Sequence, residues 1–281
     1  MRMQSRNSSL GRMMQSQYAE QQHMGAAYGQ YGQMTQAPRV ETMRIDDVIV
    51  RTVALVAATF VAAMVTFSMV SDAFTTDAVG NPVIADQGAF NTAMTLGTVG
   101  ALVGLGVILF SMFRPVTNPI VAFVYAIGQG LLLGGVSAAF EAFQPGIAVN
   151  ALIATVLVFG GMLALYKFRI IRNSPMFTKV IVGAGFGIFG LIMVNFIAGM
   201  VGFDMGLFAG PGESASMLQW IIAIGITLWA AFSFILDFDM IEQSAAAGAP
   251  KKYAWAGAFG LTAGLIFLYW NLLRLLSYFN E

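Results

Sequence analysis

Cysteine does not occur in the 281 residues, which excludes disulfides, thiolate metal sites and cysteine nucleophiles. Histidine occurs once, at His23, in a polar N-terminal stretch, so histidine-based acid–base catalysis and imidazole metal triads are not expected in the rest of the chain. Charge is scarce: Asp, Glu, Lys and Arg together make up 10% and cancel to a net charge of zero. A soluble domain carries roughly 25% charged residues, and a balanced charge gives no reason to expect a nucleic-acid partner. The G-x-S-x-G elbow, the H-E-x-x-H helix and the P-loop are all missing, and with them the commonest nucleophile, zinc and phosphate sites. The chain is expected not to be an enzyme and to hold no resident cofactor.

What is present is apolar. Hydrophobic residues reach 58% and mean hydropathy is +0.74. After Asp46-Asp47, seven apolar segments follow, at about 48–70, 92–113, 119–141, 147–166, 180–201, 217–236 and 254–276. Each has the length that crosses a bilayer as a helix. The expected fold is therefore an all-α membrane protein with seven transmembrane helices over residues 45–281 and a lipid bilayer as its solvent. Residues 1–44, rich in Gln, Met, Gly, Tyr and Ser, are expected to form a disordered cytoplasmic tail. The last segment carries Asn271 and Arg274, so both a full crossing and a re-entrant path are compatible with it.

Basic residues give the orientation. Arg2, Arg6, Arg12, Arg39, Arg44 and Arg51 flank the first span, and Arg114 lies in the second connection. Lys167, Arg169, Arg172 and Lys179 lie in the fourth connection, and Lys251 and Lys252 in the sixth. Thirteen of the fourteen basic residues thus fall on one side, Arg274 being the exception. The positive-inside rule makes that side cytoplasmic, with the N-terminus inside and the plasma (inner) membrane as the expected location.

Small residues recur at four-residue spacing in Gly100/Gly104, Gly130/Gly134, Gly183/Gly187 and Gly260/Gly264, the pattern that lets helices approach closely in lipid. Gly185-Phe-Gly187-Ile-Phe-Gly190 fits a dinucleotide fingerprint on paper, but it lies inside an apolar span and reads as a helix-packing face.

The candidate site is the acid cluster Asp237, Asp239 and Glu242, which follows the uncharged run Met217–Leu236. Three readings stay open. It is an ordinary solvated helix end, although a helix C-terminus disfavours anions. It is a proton-sensing carboxylate, since burial and nearby cations act in opposite directions on an aspartate's charge. Or it is a cation site, since hard ions want several oxygens. An intramembrane aspartyl protease would need two aspartates on facing helices, whereas these share one. Gln129, Asn195 and Asn271 are the other polar groups inside spans; they are candidates to line a pore and equally candidates for interhelical hydrogen bonds.

Several strings resemble one family. FSFILDFDMIEQ ending the sixth span, LYWNLLRLLSYF closing the chain, MRIDDVIVRT at the first span and NPIVAFVYAIGQGLLLGGVSAAFE in the third are similar to the Bax inhibitor-1 (transmembrane Bax inhibitor motif) family, its bacterial branch in particular, over about residues 42–278. The resemblance implies six helices around a central seventh and a pH-sensitive calcium leak, with calcium as the transported ion. In that scheme two aspartates on the sixth and seventh helices share a proton while an arginine on the second competes for one. Asp237 matches the sixth-helix aspartate and Arg114 the arginine. The seventh-helix aspartate is replaced by Asn271 or Gly264, depending on which motif aligns, and Gln129 stands where relatives often carry glutamate. Asp237 with Asp239 is the remaining candidate pair. The alternative implied by some relatives is a non-conducting regulator that docks on another membrane protein, such as a quality-control protease.

Overall fold

The computed structural model describes residues 41–77, 82–203, 205–210 and 212–280. Most of the expected tail, His23 included, and Asp204 therefore lie outside the described residues. Seven α-helices dominate: α1 (Ile45–Ala73), α2 (Gln87–Phe113), α3 (Pro119–Phe143), α4 (Ile147–Lys167), α5 (Pro175–Met200), α6 (Met217–Ala246) and α7 (Ala254–Ser277). All seven are long and apolar enough to cross a membrane, α7 together with the 3₁₀ turn Lys251–Tyr253 before it. The shortest, α4, has 21 residues, which at 1.5 Å per residue spans the roughly 30 Å hydrocarbon core. The chain is a multi-pass membrane protein.

Helix starts follow local chemistry. Asp86 Oδ1 accepts from the Ala89 N–H at 3.0 Å, Asn118 Oδ1 from Ile120 at 2.9 Å and Ser174 Oγ from Phe177 at 3.2 Å. Pro119 and Pro175 then occupy first-turn positions whose N–H would lack a partner anyway. Ser216 and Gln219 exchange hydrogen bonds at the start of α6, a capping box. Glu141 accepts from the N–H groups of Gly146 and Ala148 and so places a carboxylate at the positive end of α4.

Two elements differ from the sequence reading. A short antiparallel hairpin, β1 (Phe74–Thr76) with β2 (Pro82–Ile84), links α1 to α2, in a stretch between the first two apolar segments to which no element was assigned; β-branched Thr75, Thr76 and Val83 favour extended pairing there. More consequential, α6 does not stop at Leu236. It continues to Ala246, because Met-Ile-Glu-Gln-Ser-Ala-Ala contains good helix formers and no breaker. Asp237 and Asp239 therefore sit well inside a helix, with two more turns beyond them, and the end-of-dipole argument does not bear on them.

Packing is densest along α1, α3 and α7. α1 packs on α3, α3 on α2, and α7 touches α1, α3, α4 and α6. A Cβ on Gly134 would collide with the Ala63 carbonyl, and one on Gly130 with that of Thr59. Thr66 Oγ1 adds a bond across the same seam to the Leu131 carbonyl at 2.8 Å. Gly100 likewise meets the Gly128 backbone, and Gly104 leaves room for the Gln129 amide. Gly183 and Gly187 behave differently from the expected packing face, with no atom of another element among the described residues within 4 Å of a Cβ built there. On that helix it is Gly185 that meets Trp229, whose Nε1 donates to the Ile181 carbonyl at 2.8 Å. Aromatic contacts complete the core: Tyr125 with Phe259 at 4.8 Å and Phe159 with Phe234 at 5.0 Å, both edge-on as ring quadrupoles prefer.

Candidate functional site

Basic and acidic groups meet at one end of the bundle. Arg51 reaches from α1 to the Lys251 carbonyl at 2.8 Å and lies 4.9 Å from the Trp255 ring. Lys251 Nζ is 3.8 Å from Asp47, and the Met43 N–H donates to the Ala249 carbonyl at 2.7 Å. These contacts pin the start of α1 to the α6–α7 connection. The end of α4 and the segment after it reach the same place: Asn173 Nδ2 donates to Asp239 Oδ2 at 2.7 Å, and the Tyr166 hydroxyl donates to Glu242 Oε2.

The two aspartates of α6 have different surroundings although one residue separates them. Asp239 Oδ2 accepts a second bond from Gln243 Nε2 at 2.7 Å, one turn further along, and Asn173 is itself steadied by Thr178 Oγ1 at 2.7 Å. Asp237 is partly buried and has no hydrogen bond or ion pair among the described residues. Its Oδ1 lies 3.8 Å from where a Cβ of Gly260 on α7 would be, an ordinary contact distance, so the carboxylate packs beside the α7 backbone. The two do not face each other, as their spacing on a helix requires.

The other sequence candidates are dispersed. Arg114 follows the last residue of α2 and is exposed; no ion pair among the described residues joins it to Asp237. Gln129 is buried on α3 against Gly104 of α2. Asn271, at 3% exposure, donates Nδ2 to the Phe267 carbonyl of its own helix at 2.8 Å. Gly264, the other position matched to the missing aspartate, lies against the Phe234 ring. Asn195 is partly buried on α5. Arg274, the outlying cation, stacks over Phe208 at 4.3 Å and Trp270 at 5.7 Å, where cation–π attraction offsets its desolvation. No three acidic or imidazole side chains among the described residues are grouped as a metal would need.

Sequence reasoning did not single out Asn173 or Tyr166. Both lie around the connection from α4 to α5, tens of residues from their acidic partners, and the one local signal was the Asn-Ser-Pro helix start that fixes Asn173 in place.

No curated protein matches the chain. The family described as Bax inhibitor 1 like matches residues 7–281, nearly the whole chain. With seven membrane-crossing helices and the acid-bearing sixth helix in place, the chain belongs to the Bax inhibitor 1 like family.

Proposed function

We propose that this membrane protein passes cations, calcium among them, in a pH-dependent leak, and that Asp237 carries the response to pH. The observation behind the proposal is the setting of Asp237: part-buried on α6, against the glycine backbone of α7, with no hydrogen-bond or ion-pair partner among the described residues. A carboxylate so placed is costly to keep charged without water or a cation beside it. Gaining or losing its proton changes what α7 must provide, and that couples pH to the packing of α6 on α7. In this reading the N-terminus is cytoplasmic, the membrane is the plasma (inner) membrane, and the chain neither catalyses a reaction nor holds a cofactor.

Calcium flux into proteoliposomes across a pH series tests it. The expected result is wild-type flux above that of empty vesicles, changing with pH, and flux in Asp237→Asn that no longer follows pH. Wild-type flux equal to that of empty vesicles would sink conduction. A pH response that survives Asp237→Asn would sink the role of Asp237.

The second reading is a non-conducting regulator of another membrane protein. It is favoured by α7, where Asn271 bonds to its own helix and Gly264 carries no side chain, leaving Asp237 without the acidic mate that a shared proton needs. Pull-down from membranes, with and without residues 1–44, distinguishes the two readings; a partner retained only by the full chain supports regulation, and no partner in either case counts against it.

A further inference from the structure

Between α1 and α4 the bundle is not closed. α4 packs on α6 and α7 rather than along α1, and a groove of about 1270 Å³ remains, with Leu261 and Leu265 of α7 in its floor. This exceeds the roughly 300–1,000 Å³ of drug-sized sites. On α1 the lining runs from Ile45 to Phe60, which at 1.5 Å per residue is about 22 Å, enough to reach from the interface past the middle of a bilayer leaflet. Its sides are apolar, and Val53, Phe60 and Leu163 are exposed along it.

Its polar end is built differently. Lys167, Arg169 and Arg172 line it together with Asp239 and Glu242, so both signs of charge face one opening. Asp239 Oδ2 is held by Asn173 and Gln243, Glu242 Oε2 by the Tyr166 hydroxyl, which also lies beside Asp239. Asp239 Oδ1 and Glu242 Oε1 accept no hydrogen bond among the described residues. Arg169, at the same end, has an unusual backbone. Its φ is 57°, a left-handed conformation that L side chains avoid and that helix C-termini usually give to glycine. Its N–H bonds the Tyr166 carbonyl and that of Ile170 the Leu165 carbonyl, which completes a Schellman turn with an arginine at the glycine position. A basic side chain thus stands at a position where backbone geometry alone favours glycine.

We infer that the groove holds one membrane phospholipid with a zwitterionic primary-amine headgroup, of the phosphatidylethanolamine kind. Its acyl chains lie along Val53, Phe60 and Leu163, its phosphate meets Arg169 and Arg172, and its ammonium donates to the uncommitted oxygens of Asp239 and Glu242. A choline headgroup has no N–H to donate, and a purely anionic headgroup would leave the two carboxylates facing phosphate. The inference does not rest on conduction through Asp237.

The test places the full chain in nanodiscs containing equal parts of phosphatidylethanolamine, phosphatidylglycerol and phosphatidylcholine. The protein is then extracted into mild detergent and its retained lipid is quantified by mass spectrometry. The expected result is roughly tenfold enrichment of phosphatidylethanolamine over the bilayer, the discrimination that one charge-assisted hydrogen bond supplies. Enrichment should vanish in the Asp239→Asn, Glu242→Gln double variant, and separately in Val53→Trp, which fills the groove from an exposed position. Retained lipid of bilayer composition, or enrichment of phosphatidylglycerol instead, would overturn the inference. So would enrichment that persists in both variants while their unfolding midpoints match wild type.

Discussion

α1 presents two faces to the rest of the bundle, and they are finished in opposite ways. On one, Thr59, Ala62 and Thr66 are buried against α3, whose Gly130 and Gly134 let the backbones touch. On the other, Val53, Val56 and Phe60 stand beside the groove, opposite Phe159 and Leu163 of α4. Both faces are apolar, so hydrophobicity does not decide between them; lipid tails would cover either equally well. In a bilayer the contact closes where side chains are absent and a backbone carbonyl is in reach of a hydroxyl. Bulky residues on the facing helix leave the space to a third party. On α1, then, small residues opposite mark the sealed seam, and large ones line the face that stays open.

The largest expected effect comes from breaking the sealed face. Leucine at position 134 must displace the Ala63 carbonyl and the Thr66 hydroxyl, which lie where its Cβ would go, and neither is the free end of a flexible chain. Gly134→Leu is expected to cost about 3 kcal/mol, as overpacking of a tight contact does, and to lower the thermal unfolding midpoint in detergent. An unchanged midpoint would mean that the α1–α3 seam is not what holds these helices.

The open face is sharpened by a smaller change of opposite sign. Arg169→Gly relieves the left-handed strain at the end of α4 and is expected to stabilise the fold by about 1 kcal/mol, somewhat offset by the extra freedom glycine has when unfolded. The same variant should retain less phosphatidylethanolamine. A stability that falls would show that the Arg169 side chain supports the fold itself and would remove the strain argument for a headgroup site.

The legibility of this molecule divides along the same line. Seven spans could be read from hydropathy because each is uniformly apolar, and the start of α3 at Pro119 coincides with its apolar segment; α2 and α5 begin about five residues before theirs, at Gln87 and Pro175, because the caps Asp86 and Ser174 lie outside the apolar runs. The end of α6 could not, since hydropathy reports where lipid stops and not where the helix stops; DFDMIEQ leaves the apolar run but keeps its helical propensity. Glycine spacing identified Gly130 and Gly134 as able to approach a neighbour, and it did so equally for Gly183 and Gly187, which meet none among the described residues. Asp237 and Asp239 stood out as carboxylates beside an apolar run. Their difference in surroundings depends on Asn173 and Gly260, which tertiary folding brings to them and no local pattern announces.

Gly183→Leu is the smallest expected effect and the strictest check on the comparison. It repeats the Gly134→Leu change, glycine to leucine in the middle of an apolar helix at the same four-residue spacing. It differs in what lies opposite, since among the described residues no atom of another element is within 4 Å of a Cβ at Gly183 and Ile181 is the only fully buried residue of α5. A leucine there meets lipid, gains helix propensity over glycine and should leave the unfolding midpoint within the range of about 0.5 kcal/mol that exposed substitutions show. If it instead destabilised the purified protein as much as Gly134→Leu, small residues would be serving α5 through a contact that a single chain does not contain. The sealed and open faces would then have to be redrawn around that contact.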